Sequence, residues 1–292
     1  MGYAAGAAAY HAAVAGLDAG ALTTHYTAGL SWFEETFAPH VRGLMSELTG
    51  GVWDLSEYVA VASGSDVDWM THLVEAVAAR EGVSVYPGDW WGFSVGCTQP
   101  NIAFSDDAAG RLACVCLPSV RNGQLTEEMA TFLEGADACL LNINLFPTLP
   151  ASERAAIARR LLPVLPRSVL SISFSRGFGL TASQLGVALV HRDHPYVARF
   201  ARQWGWFSYF HNAIAARALM ALDLGAMRAV DDQRRVEVKA WLEARGLPVV
   251  DGGTYYVKSF RPQGPIPEGL RPLVREGAWG SVVRLCFKPA VV

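Results

Sequence analysis

The sequence predicts an α/β protein: a mainly parallel sheet sandwiched by helices, followed by a small C-terminal α+β domain. Three observations point there. From about residue 58 to 174 short apolar strand patterns alternate with helical ones, and such alternation needs crossover connections that bury a parallel sheet under helices on both faces. Beyond residue 200 the texture changes to two long helical stretches and then two strand patterns joined by a proline-rich loop. Finally, 51% of the 292 residues are hydrophobic, enough to bury one large core, or a large and a small one, without disulfide staples.

Each element has its own signal. Met1 to Ala21 is rich in Ala and Gly, lacks a basic start and carries His11 and Asp18 inside its apolar run. It reads as a helix or a loose arm rather than a secretory leader. From Ser31 to Leu48, Trp32, Phe33, Phe37, Val41, Leu44, Met45 and Leu48 recur at helical spacing between charged residues, the mark of an amphipathic helix. Tyr58 to Ala62 is a buried-strand pattern, Ser63-Gly64-Ser65-Asp66 a turn, and Val67 to Arg80 a helix. The alternation continues with strands at 83–86 and 112–117, a helix at 126–133, a strand at 138–143, a helix at 151–162 and a strand at 168–174. Helices are expected around 212–224 and 230–244, and strands at 252–259 and 281–287. The connection from Arg261 to Pro272 is stiffened by Pro262, Pro265, Pro267 and Pro272. The expected division is an N-terminal arm at 1–27, a large domain at 28–210, and helices with the small domain at 211–292.

Charge and cysteine usage narrow the function. Lys plus Arg number 24 against 27 Asp plus Glu, giving a net charge of -3 without long runs of one sign. Nucleic acid is not expected as a partner, since phosphate backbones need clustered positive charge. No stretch is apolar enough for a membrane span. The five cysteines, Cys97, Cys114, Cys116, Cys139 and Cys286, lie in apolar surroundings without paired ligand spacing, and read as buried, reduced thiols of a cytoplasmic protein. No metal site is expected: His191 and His194 flank Arg192 and Asp193 in what reads as a solvated loop, and a third ligand is missing.

The most informative stretch is 171–190, where Ser171-Ile-Ser-Phe-Ser175-Arg176 leads into the glycine-rich turn Gly177-Phe-Gly-Leu180. It resembles the cofactor-lysine segment of fold-type-I pyridoxal-phosphate enzymes of the class I/II aminotransferase kind. Leu30-Ser-Trp-Phe-Glu34, Tyr58-Val-Ala-Val-Ala-Ser-Gly-Ser65 and Ala188-Leu-Val-His-Arg-Asp193 resemble the alliinase and tryptophan-aminotransferase branch in particular. In order along the chain, the matches run from about residue 28 to 287. The resemblance implies an aminotransferase-like fold and a homodimer, with the aromatic cluster Trp204, Trp206, Phe207, Tyr209 and Phe210 at the interface.

Measured against that resemblance, the chain is a degenerate member. Arg176 stands where the family has the lysine that forms a Schiff base with the cofactor, and a guanidinium has no free lone pair for that bond. The only lysines of the sequence are Lys239, Lys258 and Lys288. The strand that would bring an aspartate to the pyridine nitrogen is expected to be deleted, because helix 151–162 runs almost directly into strand 168–174. In Leu145-Phe-Pro-Thr-Leu149, Phe146 replaces the asparagine of an Asn-Pro-Thr-Gly turn, and Gln184 replaces the phosphate-binding arginine. What persists implies a carboxylate ligand. Arg284 matches the arginine that clamps the substrate carboxylate, Ser63-Gly64-Ser65 an anion-binding turn, and Trp90 or Trp91 the aromatic that stacks on the ring.

Each of these has a plainer reading: Arg176 as a surface arginine, Arg284 in a structural ion pair, Trp90 and Trp91 as one core and one surface aromatic, and Ser63 to Ser65 as a helix cap. Arg176, His211 and His25 are the catalytic candidates, the histidines because imidazole titrates near neutral pH. Arg284, Trp90, Trp91, Ser63, Gly64, Ser65 and Ser175 are the substrate-binding candidates. The expectation is a PLP-independent enzyme of specialised metabolism acting on an amino acid or related carboxylate, with no cofactor. Two alternatives stay open: a transaminase or lyase that binds pyridoxal or pyridoxamine phosphate non-covalently and uses another base, and a catalytically dead homologue that serves as a binding or regulatory subunit.

Overall fold

The computed structural model describes residues 4–17, 29, 31–63, 66–95, 97–180, 185–195, 213–249, 251–262, 264–275 and 281–287. Its centre is a seven-stranded sheet made of β1 (Tyr58–Ser63), β2 (Gly82–Val85), β3 (Ile102–Phe104), β4 (Arg111–Cys116), β5 (Ala138–Asn142), β6 (Ser168–Ser173) and β7 (Gly186–His191), in the order β1-β7-β6-β5-β4-β2-β3. The run from β3 through β2, β4 and β5 to β6 is parallel, and β7 is antiparallel to both β6 and β1. The inner strands β2, β4, β5, β6 and β7 are short runs rich in Val, Leu, Ile, Ala and Cys and buried on both faces, as expected of a covered sheet, whereas the edge strand β3 is largely exposed.

Side chains alternate between the faces and sort the core into two layers. One layer takes Val115, Leu141, Leu170, Ile172 and Phe174, and packs against α1 (Ala4–Ala15), α2 (Ala38–Leu48), α4 (Glu127–Glu134) and α5 (Ala151–Leu161). The other takes Cys114, Leu140, Val169 and Ala188, and packs against α3 (Asp66–Ala78). The residues expected as an arm therefore include a helix with Ala9 and Ala13 in the main core. Gly6 makes its close approach possible, since a Cβ there would stand 2.7 Å from the carbonyl oxygen of Gly179.

The helical pattern of 31–48 is resolved as a π-helical turn, Phe33–Phe37, running into α2. In the later part, residues 213–220 are helical and α6 (Leu224–Glu243) begins at Asp223, whose side chain accepts the amide of Ala226 at 2.9 Å. A second sheet, β8 (Val257–Phe260), β10 (Val282–Cys286) and β9 (Val274–Arg275), is antiparallel and has its own cluster of Val238, Leu242, Tyr255, Val283 and Leu285. No helix among the described residues is long and apolar enough to cross a membrane, and no group of metal-ligating side chains occurs among them.

Several expectations are corrected. No strand is missing beside β6: β5 precedes it in the chain, pairs with it and ends at Asn142. Strands β3 and β9 and the strand character of β7 were not legible in the pattern. Cys114, Cys116 and Cys139 are buried thiols, but Cys97 is half-buried and Cys286 exposed. His194 is no loop surface residue; it is buried, its Nε2 lies 3.2 Å from the carbonyl of Arg167, and burial lowers its pKa.

Candidate active site

The cleft lies where the second layer runs out of helix. On that face β4 ends in Cys116, β5 turns from Leu140 to Asn142, and β6 runs from Val169 through Ser171 to Ser173. Because α3 begins only at Asp66, nothing from that helix covers these last side chains. The result is a cleft of about 160 Å³ lined by Asp66, Trp90, Cys116, Val120, Asn142, Asn144, Ser173, Ser175 and Arg176, with Val67, Pro118 and Leu145. It sits at the carboxyl ends of the strands, where open α/β sheets hold ligands.

The floor is a fixed set of hydrogen bonds. The Ser173 amide donates to Asn144 Oδ1 at 2.5 Å, the Asn144 side-chain amide donates to Asp66 Oδ2, and the Asn144 backbone amide donates to Asn142 Oδ1 at 3.1 Å. Burial pushes the Asp66 carboxyl up, opposed by the bond from Asn144, by the backbone amides of Asp66 and Val67 and by the charge of Arg176. At the rim, the Ser173 and Ser175 hydroxyls are 2.9 Å apart and Arg176 is exposed to solvent. Gly177 keeps rim and floor together, because a Cβ there would lie 2.4 Å from the Asn144 carbonyl oxygen.

The opposite wall hangs on Asp89. This fully buried carboxylate accepts from the amides of Trp90 at 2.6 Å and Cys116 at 3.0 Å and from the Ser119 hydroxyl at 3.1 Å. Desolvation pushes it up to about 6 in spite of those donors. It thereby ties the loop carrying Trp90 to the end of β4.

Of the residues singled out in the sequence, Arg176, Trp90 and Ser175 meet in the cleft. Trp91 does not: it is 68% exposed, while the neighbouring Trp90 packs edge-on against Phe93. Arg284, on β10, reaches the carbonyl of Val120 at 3.4 Å, so it abuts the segment forming one wall instead of lining the cleft, and its buried Nε has no hydrogen-bond partner. Ser63 ends β1, paired with Gly186. Gly64, Ser65, His25, His211, Gln184 and the aromatic cluster from Trp204 to Phe210 lie outside the described residues. Lys239 and Lys258 line a separate pocket, beside Glu153 and Asp251. Phe146 is corrected as well. It is fully buried and stacks on Trp53 at 5.6 Å, whereas Asn142 and Asn144, one turn earlier, occupy the cleft. Their signal was available in the sequence as two polar residues spaced by two at the end of the apolar run Ala138–Leu141.

Solved structures decide the fold. The chain is similar to an aminotransferase from Staphylococcus aureus, with 12% identity over 98% of this chain and 86% of that one at a TM-score of 0.67. The chain has the aminotransferase fold. It is also similar to aspartate aminotransferase from Thermotoga maritima (15% identity, 86% and 76% covered, TM-score 0.59) and to histidinol-phosphate aminotransferase from Sinorhizobium meliloti in complex with pyridoxal-5'-phosphate (15%, 88% and 71%, TM-score 0.54). No family model matches the chain, and no curated protein matches it in sequence. The expectation that an aminotransferase fold with this cleft takes no cofactor is overturned here, because the solved relatives of the fold are aminotransferases, one of them holding pyridoxal-5'-phosphate.

Proposed function

We propose that the cleft binds pyridoxal or pyridoxamine 5'-phosphate without a covalent bond, and that the chain uses it on an amino acid or related carboxylate. The observation that carries this reading is the donor set: a flat indole (Trp90), an amide floor (Asn142), two hydroxyls (Ser173, Ser175) and a guanidinium (Arg176) around one cleft, with no lysine among its lining residues. An indole wall suits an aromatic ring, and hydroxyls with a guanidinium suit a phosphate. When bound, such a cofactor supplies an aldehyde or amine that exchanges with a substrate's own, and a ring that withdraws electrons.

The chain's residues divide the remaining work. Trp90 would cover one face of the ring and exclude water from it. Arg176 and the serine pair would hold the phosphate through charge-assisted contacts, in place of the anchoring a lysine bond would give. Arg284, which abuts the wall at Val120 without lining the cleft, would have to reach past that segment to meet a substrate carboxylate. Asp66 is the group at the cleft with a raised carboxyl pKa, able to hold a proton at Oδ1 while Oδ2 stays on Asn144.

The test is a titration of the full chain with pyridoxal and pyridoxamine phosphate, followed by absorbance and by thermal shift. Saturable stabilisation, together with complete loss of the cofactor on denaturation after borohydride treatment, is the expected result. No binding of either form, or cofactor that stays attached to a lysine after borohydride, overturns the reading. Arg176→Lys is expected to gain no transamination, because Asn142 in place of a carboxylate leaves the ring a weak electron sink. Turnover by that variant with any common amino acid would show that the lysine alone was lacking.

A further inference from the structure

We infer that Asn142 is a specificity-determining residue that offers a proton to the cleft and accepts none, so the ligand atom seated on it is an unprotonated hydrogen-bond acceptor. For the cofactor proposed above, on which this inference rests, that atom is the bare ring nitrogen. An asparagine side chain is ambiguous by itself, since its oxygen and nitrogen can exchange places. Here the surroundings remove the ambiguity. The backbone amide of Asn144 can only donate, and it lies 3.1 Å from Asn142 Oδ1. The oxygen must face Asn144, which turns Nδ2 with its two protons to the other side.

Asn144 is fixed by the same logic. The Ser173 amide can only donate and meets Asn144 Oδ1, so the Asn144 side-chain nitrogen donates to Asp66 Oδ2. The run from Ser173 through Asn144 ends on Asp66, while the backbone amide of Asn144 alone orients Asn142, a residue only 6% exposed on the floor of the cleft. A donor held that deep loses a hydrogen bond if the ligand atom above it also carries a proton, and two facing N–H groups cost more than an unmade bond.

The charged and titratable groups around the floor act in the same sense. Arg176, from the turn after β6, is a fixed cation that disfavours a second positive charge on a ring. Cys116, from β4, has its thiol pushed well up by burial and by the nearby Asp89 and Asp66, so it stays neutral. Asp66, from α3, has Oδ2 occupied by Asn144, and burial holds its carboxyl up. None of the three stands in for a carboxylate beneath the ring.

The experiment compares pyridoxamine 5'-phosphate with its 1-deaza analogue, in which C–H replaces the ring nitrogen, by calorimetry on the full-length chain. A second readout is the nitrogen-15 shift of labelled cofactor in the complex. The expected result is at least about tenfold weaker binding of the deaza analogue and a shift of unprotonated pyridine at neutral pH. In Asn142→Leu the two ligands should bind alike, and in Asn142→Asp the shift should move to that of pyridinium, with affinity falling as pH rises. Equal affinities in the unaltered chain, or a pyridinium shift there, overturn the inference while the cofactor reading stands. Absence of binding by the parent compound removes both. If a variant fails to fold, the analogue and the nitrogen shift in the unaltered chain still decide.

Discussion

The two faces of the large sheet are built from the same strands and end differently. On the closed face the apolar side chains continue past the strand ends into Phe146, Phe174 and Phe178, all fully buried, in a cluster that α1, α2, α4, α5 and helical residues 213–220 also share. On the open face the last side chains are Cys116, Asn142 and Ser173, and α3, which packs on that layer among the described residues, starts only at Asp66. The difference teaches that the cleft is made where small and polar side chains, Cys116, Asn142 and Ser173, end three neighbouring strands on one face. Stability should therefore reside mainly in one face and ligand affinity in the other.

Phe37→Ala is the strongest way to break that division. The ring is fully buried on the closed face, 6.4 Å from that of Phe174. Its loss is expected to cost about 3–5 kcal/mol in urea unfolding, with cofactor affinity unchanged wherever the variant remains folded. A matching loss of affinity would mean that the faces are not separable.

Asp89 tests whether the open face carries a pH dependence. Its folded pKa of about 6 lies above its ordinary 3.8, so the folded chain holds the proton more tightly than the unfolded chain does. The associated stability is complete below about pH 4 and lost as pH rises towards 6, on the order of 3 kcal/mol. Relative to Asp89→Asn, which cannot titrate, the unaltered chain should lose about that much in denaturant melts between pH 4 and pH 7. A constant difference would show that the carboxylate keeps its proton affinity unperturbed.

Arg284→Ala should weaken binding of the best substrate carboxylate by about thirtyfold or more while the melting temperature stays within a few degrees. Arg284→Lys should recover only part of it, since an ammonium lacks the bidentate fork. Unchanged affinity by calorimetry would make this arginine a strut between β10 and Val120. The smallest effects separate two adjacent tryptophans. Trp90→Ala should weaken cofactor binding by about 1 kcal/mol, and the exposed Trp91→Ala should change neither binding nor stability by more than about 0.5 kcal/mol. Equal effects in a fluorescence titration would erase the distinction between wall and surface.

The fold was legible because its strands are apolar runs of the right length and its long helices are amphipathic. β5 and β6 were read within a residue of their ends, whereas the three-residue β3 and two-residue β9 carry too few side chains to show a period. In the site, Arg176 and Ser175 could be found from the segment that enters the glycine turn, and Trp90 from the resemblance that implies a ring-stacking aromatic there. Asn142 and Asn144 were passed over because Pro147 and Thr148 offered a better match to a known turn than the end of β5 did, and it was pairing between strands that placed them. Asp66 and Asp89 act through burial and through donors 78 and 30 residues away. Neither has a local pattern that sets it apart from a surface aspartate.

The contact between Gly177 and Asn144 also sets a gauge. No atom fits between them, so the guanidinium rim and the amide floor cannot be brought closer together. Nor can they spread apart without losing the Ser173 bond to Asn144. A bulkier ligand must therefore be admitted across the cleft, by trimming Val120 or Trp90. In any lineage of such chains, divergence in ligand size should be recorded at those two positions, with 142, 144 and 177 held constant.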